Sequence, residues 1–185
     1  MEIKKDQLLA GIIGGIVSLG LAYATRKLVW GRHCHKKDWW NKKDRVNVME
    51  SPNMPAAIGP YCKGKLIEFK DGSRLCYSSG QLGLDPKTNE LVSDNVEDQA
   101  EQVIKNLKAL AEDNGLTLGD TVKNVVYLTD MADFARVNEV YKKHYQGDFP
   151  ARTCIAVKQL PKGGLVEIES VFFKAGPSMA ERKRL

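Results

Sequence analysis

The stretch Phe149-Pro150-Ala151-Arg152-Thr153-Cys154 is answered, fifteen residues beyond Arg152, by Glu167 in Leu165-Val166-Glu167-Ile168-Glu169. Both segments alternate β-formers with polar groups and read as adjacent strands, joined as a final hairpin through Leu160-Pro161-Lys162-Gly163-Gly164. Period-two alternation puts Thr153, Ile155 and Val157 on one face of their strand and Val166, Ile168 and Phe172 on one face of theirs, both suited to lie under helices. The opposite face then carries Arg152, Cys154, Ala156 and Lys158 beside Glu167 and Glu169. A face of that composition with no helix over it needs another cover: water, a ligand or a second subunit.

Upstream, Lys65-Leu66-Ile67-Glu68-Phe69 and Arg74-Leu75-Cys76-Tyr77-Ser78-Ser79 flank Lys70-Asp71-Gly72-Ser73, the pattern of an antiparallel hairpin with an Asp-Gly turn. From Val96 to Ala111 one helical stripe collects Val96, Ala100, Val103, Ile104, Leu107, Leu110 and Ala111. Asp94 and Glu97 suggest a capping box for it, and Asn114-Gly115 its stop. Thr121–Thr129 is β-rich and largely apolar, as a central strand should be, and Asp133–Tyr145 repeats a helical stripe through Phe134, Val137, Val140 and Tyr141. The order of strands, helix, strand, helix and two strands predicts an α+β fold, a mixed and mostly antiparallel sheet with two helices on one face.

Several motifs in fixed order resemble those of the Rid (YjgF) family of reactive-intermediate deaminases. They are Pro55-Ala56-Ala57-Ile58-Gly59-Pro60-Tyr61, Ser79-Gly80-Gln81-Leu82, Asp85-Pro86-Lys87-Thr88, Asp133-Phe134-Ala135-Arg136-Val137-Asn138, and the Arg152 and Glu167 segments. The resemblance covers about Met49 to Lys174. It implies a chorismate-mutase-like fold and a trimer, of identical or related chains, with a ligand cleft between each pair of protomers. The implied activity is hydrolysis of short 2-imino or 2-enamino acids, such as 2-iminopropanoate or 2-iminobutanoate, to 2-keto acids and ammonia. Neither a metal nor an organic cofactor is implied. The sequence departs from the family pattern at Cys62-Lys63-Gly64 and in an extended Asp71–Ser73 turn.

The chemistry of the residues fits that activity. A planar guanidinium binds a carboxylate bidentately, so Arg152 can fix the orientation of a 2-imino acid. Glu167 can orient and polarise the attacking water and then manage the proton that leaves with ammonia. The plain alternative is a structural ion pair between Arg152 and Glu167 or Glu169. The resemblance adds Tyr61, Ser79, Gly80, Asn138 and Cys154 as pocket residues, with Cys154 contributing its backbone carbonyl. No base stands in a suggestive place beside Cys154, since His33 and His35 lie in a linker and His144 ends a helix, so covalent catalysis is not expected.

Charge and cysteine usage narrow the remaining classes. The 185 residues carry a formal charge of +5, but ten Lys/Arg against four Asp/Glu fall in residues 1–45, leaving eighteen against nineteen in residues 46–185. A nearly neutral domain lacks the concentrated basic face that nucleic acid binding needs. Cys34, Cys62, Cys76 and Cys154 have no framework spacing and fit a reducing compartment. His33-Cys34-His35 reads as a solvated linker, because adjacent ligands seldom converge on one metal.

Leu8–Ala24 is a charge-free run of seventeen residues, interrupted by Ser18 and by Gly11, Gly14, Gly15 and Gly20. Three readings compete: a secretory signal, a buried helix and a single membrane span. Glycines at these positions would each cost a helix in water about 1 kcal/mol relative to alanine, which favours the span. Arg26, Lys27, Arg32, Lys36, Lys37, Lys42, Lys43 and Arg45 follow it, placing the domain on the cytoplasmic or matrix side; with the reduced cysteines this favours a mitochondrial inner membrane over the endoplasmic reticulum or a bacterial inner membrane. Trp30, Trp39 and Trp40 suit either a membrane interface or packing of the linker, and Gly11 with Gly15 would let a second helix approach. The organisation expected is a transmembrane anchor over 1–30, a basic juxtamembrane linker over 31–48, the Rid-like domain over 49–174 and a tail over 175–185. One role is a tethered deaminase. The other is a structural accessory subunit of a larger membrane complex, with the fold serving as a docking platform.

Overall fold

A computed structural model of the chain describes residues 43–178. The run Leu8–Ala24, the tryptophans at 30, 39 and 40, the His33-Cys34-His35 triplet and the end of the tail lie outside the described residues. No helix among the described residues is long and apolar enough to cross a membrane.

Among the described residues, seven strands form one mixed sheet: β1 (Arg45–Met49), β2 (Gly64–Glu68), β3 (Arg74–Ser78), β4 (Gln81–Leu82), β5 (Thr121–Leu128), β6 (Ala151–Ala156) and β7 (Val166–Lys174). The spatial order is β1-β2-β3-β7-β5-β6, and β4 pairs with the first half of β7 where β3 no longer does. All pairings are antiparallel except β5 with β6. The Asp71-Gly72 hairpin stands as expected between β2 and β3, with Phe69 and Ser73 closing it backbone to backbone at 2.9 Å. Arg45–Val48, which sequence assigned to the linker, are strand and pair with Ile67, Leu66 and their neighbours on β2.

Helices α1 (Val96–Asp113) and α2 (Phe134–His144) supply one apolar layer. Seven α1 positions predicted for the buried stripe are all buried. The first half of α1 joins Val137, Val140 and Tyr141 of α2 over Val126, Leu128, Val166 and Ile168, and its last turn packs Leu110 and Ala111 on Leu66, Cys76 and Phe172. The N-cap is Asn95 rather than Asp94: its side-chain oxygen accepts from the amides of Glu97 and Asp98 at 2.8 and 3.2 Å. With Asn95 as the cap, Glu97 stands at the second helical position rather than the third and closes no capping box; its carboxylate pairs instead with Arg136 of α2, which also holds Asp133. That guanidinium also holds the Glu97 carboxyl below its usual range. At the other end Gly115 adopts φ +73, the left-handed turn that releases the chain from α1.

Two expectations about the C-terminal strands are overturned. First, β6 and β7 are not neighbours and form no hairpin, because β5 lies between them, parallel to β6 and antiparallel to β7. A parallel partner demands a crossover, and α2 supplies it, so β6 emerges beyond β5 at the edge of the sheet. Second, the alternation of β6 is inverted. Cys154 is in register with buried Val126 and Ile168, so Cys154 and Arg152 lie on the helix side, while Thr153 and Ile155 lie on the open side. An edge strand is only half covered, and its polar and apolar residues therefore do not sort as they do in the interior. The β7 assignment holds: Val166, Ile168 and Phe172 are fully buried.

The open face is more apolar than the sequence suggests. Register carries Val46, Val48, Tyr77, Ile155 and Phe173 onto it, and all five are exposed. A patch of that kind is uncommon on an isolated soluble domain and marks a contact surface.

Candidate functional site

The expected site residues fall into two groups on opposite faces of the sheet. The first lies around β4. Tyr61, exposed at the end of the Pro55–Pro60 segment, accepts a hydrogen bond from the amide of Ile58 at 3.3 Å and lines a shallow open depression with Pro55, Ala57, Gly80 and Leu82. The hydroxyl of Ser79 donates to the carbonyl of Cys62 at 2.7 Å, and its amide donates to Lys63 at 2.9 Å, fixing the Tyr61 segment to the end of β3. Ser79 is thus a brace in the free protomer. Gly80 instead makes room, since a Cβ placed there would stand 1.7 Å from a carboxylate oxygen of Glu167, and only glycine lets that carboxylate rest where it does.

Glu167 is half-buried on β7, on the open face, with Tyr127 directly across on β5. Burial pushes its carboxyl above the usual range, and Glu169, two residues along on the same face, pushes it further. Such a group holds a proton more readily than a solvated glutamate and can exchange it closer to neutrality. The same pair acts on Tyr127, whose hydroxyl is raised first by burial and then by the Glu169 carboxylate.

The second group is built on β6 and α2. Phe134, Asn138 and Tyr141 share one stripe of α2 at helical spacing. The guanidinium carbon of Arg152 lies 4.8 Å from the centre of the Tyr141 ring and 5.4 Å from that of Phe134. Two aromatic faces hold a cation in a defined orientation without neutralising it. Among the described residues Arg152 pairs with no carboxylate, so the structural ion pair to Glu167 or Glu169 is absent from the protomer. Asn138 sits between the two rings along the helix, and its side-chain oxygen is buried without a hydrogen-bond partner. Cys154 is half-buried against the core, and burial pushes its thiol up, which makes it a poor nucleophile at neutral pH.

The protomer therefore does not bring Arg152 and Glu167 together. Glu167 and Ile155 both pair with Tyr127, and Arg152 lies three residues before Ile155. Two strand spacings of about 4.8 Å and three rises of about 3.3 Å put the two Cα atoms about 14 Å apart, with the side chains on opposite faces. Sequence reasoning also passed over the polar groups that support both halves. Asn106, fully buried on α1, donates to the carbonyls of Leu82 and Leu84 at 3.2 and 3.0 Å and so fixes the β4 segment that carries Gly80. Gln99 does the same for the entry to β7, accepting from the amide of Leu165 at 2.8 Å. Polar residues inside an otherwise apolar helical stripe were the available signal.

With that geometry in view, the relatives of the chain are informative. Residues 51–173 match the family described as Endoribonuclease L-PSP. A mouse 2-iminobutanoate/2-iminopropanoate deaminase is 42% identical over 124 residues, covering 67% of this chain and 88% of the mouse protein. A RutC family protein of Pyrococcus horikoshii is 42% identical over 127 residues, covering 69% and 97%. Among solved structures, RidA from an Antarctic Psychrobacter superposes with a TM-score of 0.63 at 42% identity over 69% of this chain and 99% of that one. Escherichia coli TdcF with bound serine gives 0.62 at 38% identity, over 70% and 99%. The chain belongs to the Rid (YjgF) family, and its described fold is the Rid fold.

The paired carboxylates generate a pH prediction. A folded-state pKa above the unfolded value means that ionising Glu167 opposes folding as pH rises from the usual carboxylate range through the raised value. Replacing Glu169 by Gln removes the second cause of that rise and leaves burial. The Glu167 carboxyl, followed by side-chain carbon NMR, is expected to titrate at lower pH in Glu169→Gln, and the variant to gain stability at neutral pH relative to the wild type. A titration that stays in place, or moves up, would remove Glu169 as a cause of the raised value.

Proposed function

We propose that the chain hydrolyses short 2-imino acids to 2-keto acids and ammonia, in sites assembled between copies of itself. The observation that carries this reading is the separation of Arg152 from Glu167 in a protomer that nevertheless prepares each of them: a stacked cation without a carboxylate partner, and a carboxyl with a raised pKa seated on Gly80. The exposed apolar face supports an assembly, and a closed ring of three copies would cover it on every protomer. Mouse and bovine relatives named 2-iminobutanoate/2-iminopropanoate deaminase, at 42% and 41% identity, support the reaction. TdcF with bound serine supports a ligand that pairs a carboxylate with a nitrogen on the adjacent carbon.

In the mechanism Arg152 of one copy receives the substrate carboxylate as a bidentate pair, and the unpartnered side-chain oxygen of Asn138 beside it is an acceptor, available to an N–H of the substrate rather than to its carboxylate. Glu167 of the neighbouring copy accepts a proton from water as the oxygen bonds to C2 of the protonated imine, giving a tetrahedral carbinolamine. Glu167 returns that proton to the amino nitrogen, and as the C–N bond breaks it takes the proton of the new hydroxyl, so that the C2 carbonyl forms and ammonia leaves. One water is consumed and one ammonia released, with no redox change. Imines hydrolyse in water unaided, so holding the two partners in reacting geometry supplies the acceleration. Cys154 takes no covalent part, its raised thiol pKa keeping it protonated.

Arg152→Ala and Glu167→Gln are each expected to fold and to lose most of the accelerated ammonia release from 2-iminobutanoate. Mixed at equal amounts under exchange, the two inactive variants should recover about a quarter of wild-type activity, because one site in four then draws both groups from intact copies. No recovery, with exchange demonstrated, would place both groups in one subunit and contradict the shared site. A wild-type chain without acceleration would contradict the deaminase.

Tethering of this enzyme to a membrane by Leu8–Ala24, with the domain on the cytoplasmic or matrix side, completes the proposal; its support is the charge-free run and the basic flank that follows it. The full chain is expected to stay in the membrane pellet through alkaline carbonate extraction, and release into the supernatant would contradict the tether.

A further inference from the structure

We infer that Asn124 positions Arg152, acting through Tyr141, and so sets the affinity of the site for its substrate carboxylate. This rests on the reading of Arg152 as the carboxylate receptor. Asn124 is fully buried in the middle of β5, on the face it shares with Thr121, Val126 and Leu128. It stands in register with Arg152 on one side and with Ser170 of β7 on the other, so all three point to the helix layer. Its amide donates to the Tyr141 hydroxyl at 2.7 Å, and its carbonyl oxygen accepts from the Ser170 hydroxyl at 2.6 Å. The amide of Ser170 in turn donates to the Ser78 hydroxyl at 2.8 Å, which ties the chain into β3.

Tyr141 is clamped from three directions. Its hydroxyl is held by Asn124, one ring face by Tyr145 at 4.4 Å between centroids, and the ring carries the Arg152 guanidinium 4.8 Å from its centre. Burial pushes the Tyr141 hydroxyl up to about 12, so it remains a donor and acceptor and never a competing anion beside the substrate. A guanidinium on an edge strand has solvent on one side and many rotamers open to it. The rigid ring beneath it restricts those rotamers before substrate arrives, and a group ordered in advance loses less freedom on binding. Asn124 touches neither substrate nor reacting atoms. It fixes the ring that fixes the guanidinium, which makes it a positioning residue.

The test uses the full chain and steady-state hydrolysis of 2-iminobutanoate by wild type, Asn124→Ala, Tyr141→Phe and the double variant, with thermal melts to establish folding. Tyr141→Phe keeps the stacked ring and removes only the hydroxyl, so it reports even if Asn124→Ala folds poorly. Each single variant is expected to raise KM about fivefold with kcat within about twofold, and the double variant to be no worse than either, since both break one link. A KM in Tyr141→Phe within twofold of wild type, at whatever cost in melting temperature, would overturn the inference and leave the network a structural one. Independent effects that multiply in the double variant would overturn the path from Asn124 through Tyr141. A wild-type chain without turnover would remove the proposed function and this inference with it, an outcome separate from an active wild type whose variants are unchanged.

Discussion

The parallel pairing of β5 with β6 is the constraint on which the rest depends. Because a parallel partner must be reached by a crossover, α2 is drawn onto the sheet and β6 is delivered to its edge. Three consequences follow from that single arrangement. Arg152 faces the helix layer and meets the rings of Phe134 and Tyr141, Glu167 is left two strands away on the other face, and the open face keeps a set of exposed apolar residues. An antiparallel β6 beside β7 would have paired the two charges within one protomer and spent both on a structural ion pair.

The two halves of the proposed site differ in how they are built. Around Glu167 the means are steric and electrostatic: a glycine that leaves room for the carboxylate, burial, and a second carboxylate nearby that raises the proton affinity. Around Arg152 they are aromatic and hydrogen-bonded, with the cation stacked and the ring beneath it tied through Asn124 and Ser170 into the centre of the sheet. Each half carries a group that is incompletely satisfied alone, and such groups persist where a ligand or a neighbouring chain completes them. The buried oxygen of Asn138 is a further instance.

Much of this was legible in the residues. The stripe of α1 and the β2–β3 hairpin follow from periodicity and turn chemistry, and each is found where those place it, because interior elements have one wet side and one dry side. Ordered motifs nominated the candidate site residues, but not their arrangement: Arg152 lies under the helix layer and Glu167 on the other face. At the edge strand β6 the period-two pattern lost its meaning, since Ile155 is exposed and Cys154 faces the core. The cap of α1 fell one residue later than the Asp94/Glu97 spacing suggested, on Asn95, whose side-chain oxygen accepts two first-turn amides, and the pairing of Glu97 with distant Arg136 has no record in local spacing. Asn124, Asn106 and Gln99 were visible only as polar interruptions, and their roles depend on which backbone or ring the fold brings against them.

The most direct test of the central claim is a crystal structure of the protein with 2-oxobutanoate, the keto acid that the reaction would release. The account predicts a closed trimer with the ligand carboxylate paired to Arg152 of one copy and the C2 oxygen directed at Glu167 of the next. A monomer, or a ligand bound beneath Tyr61 without Arg152, would contradict it.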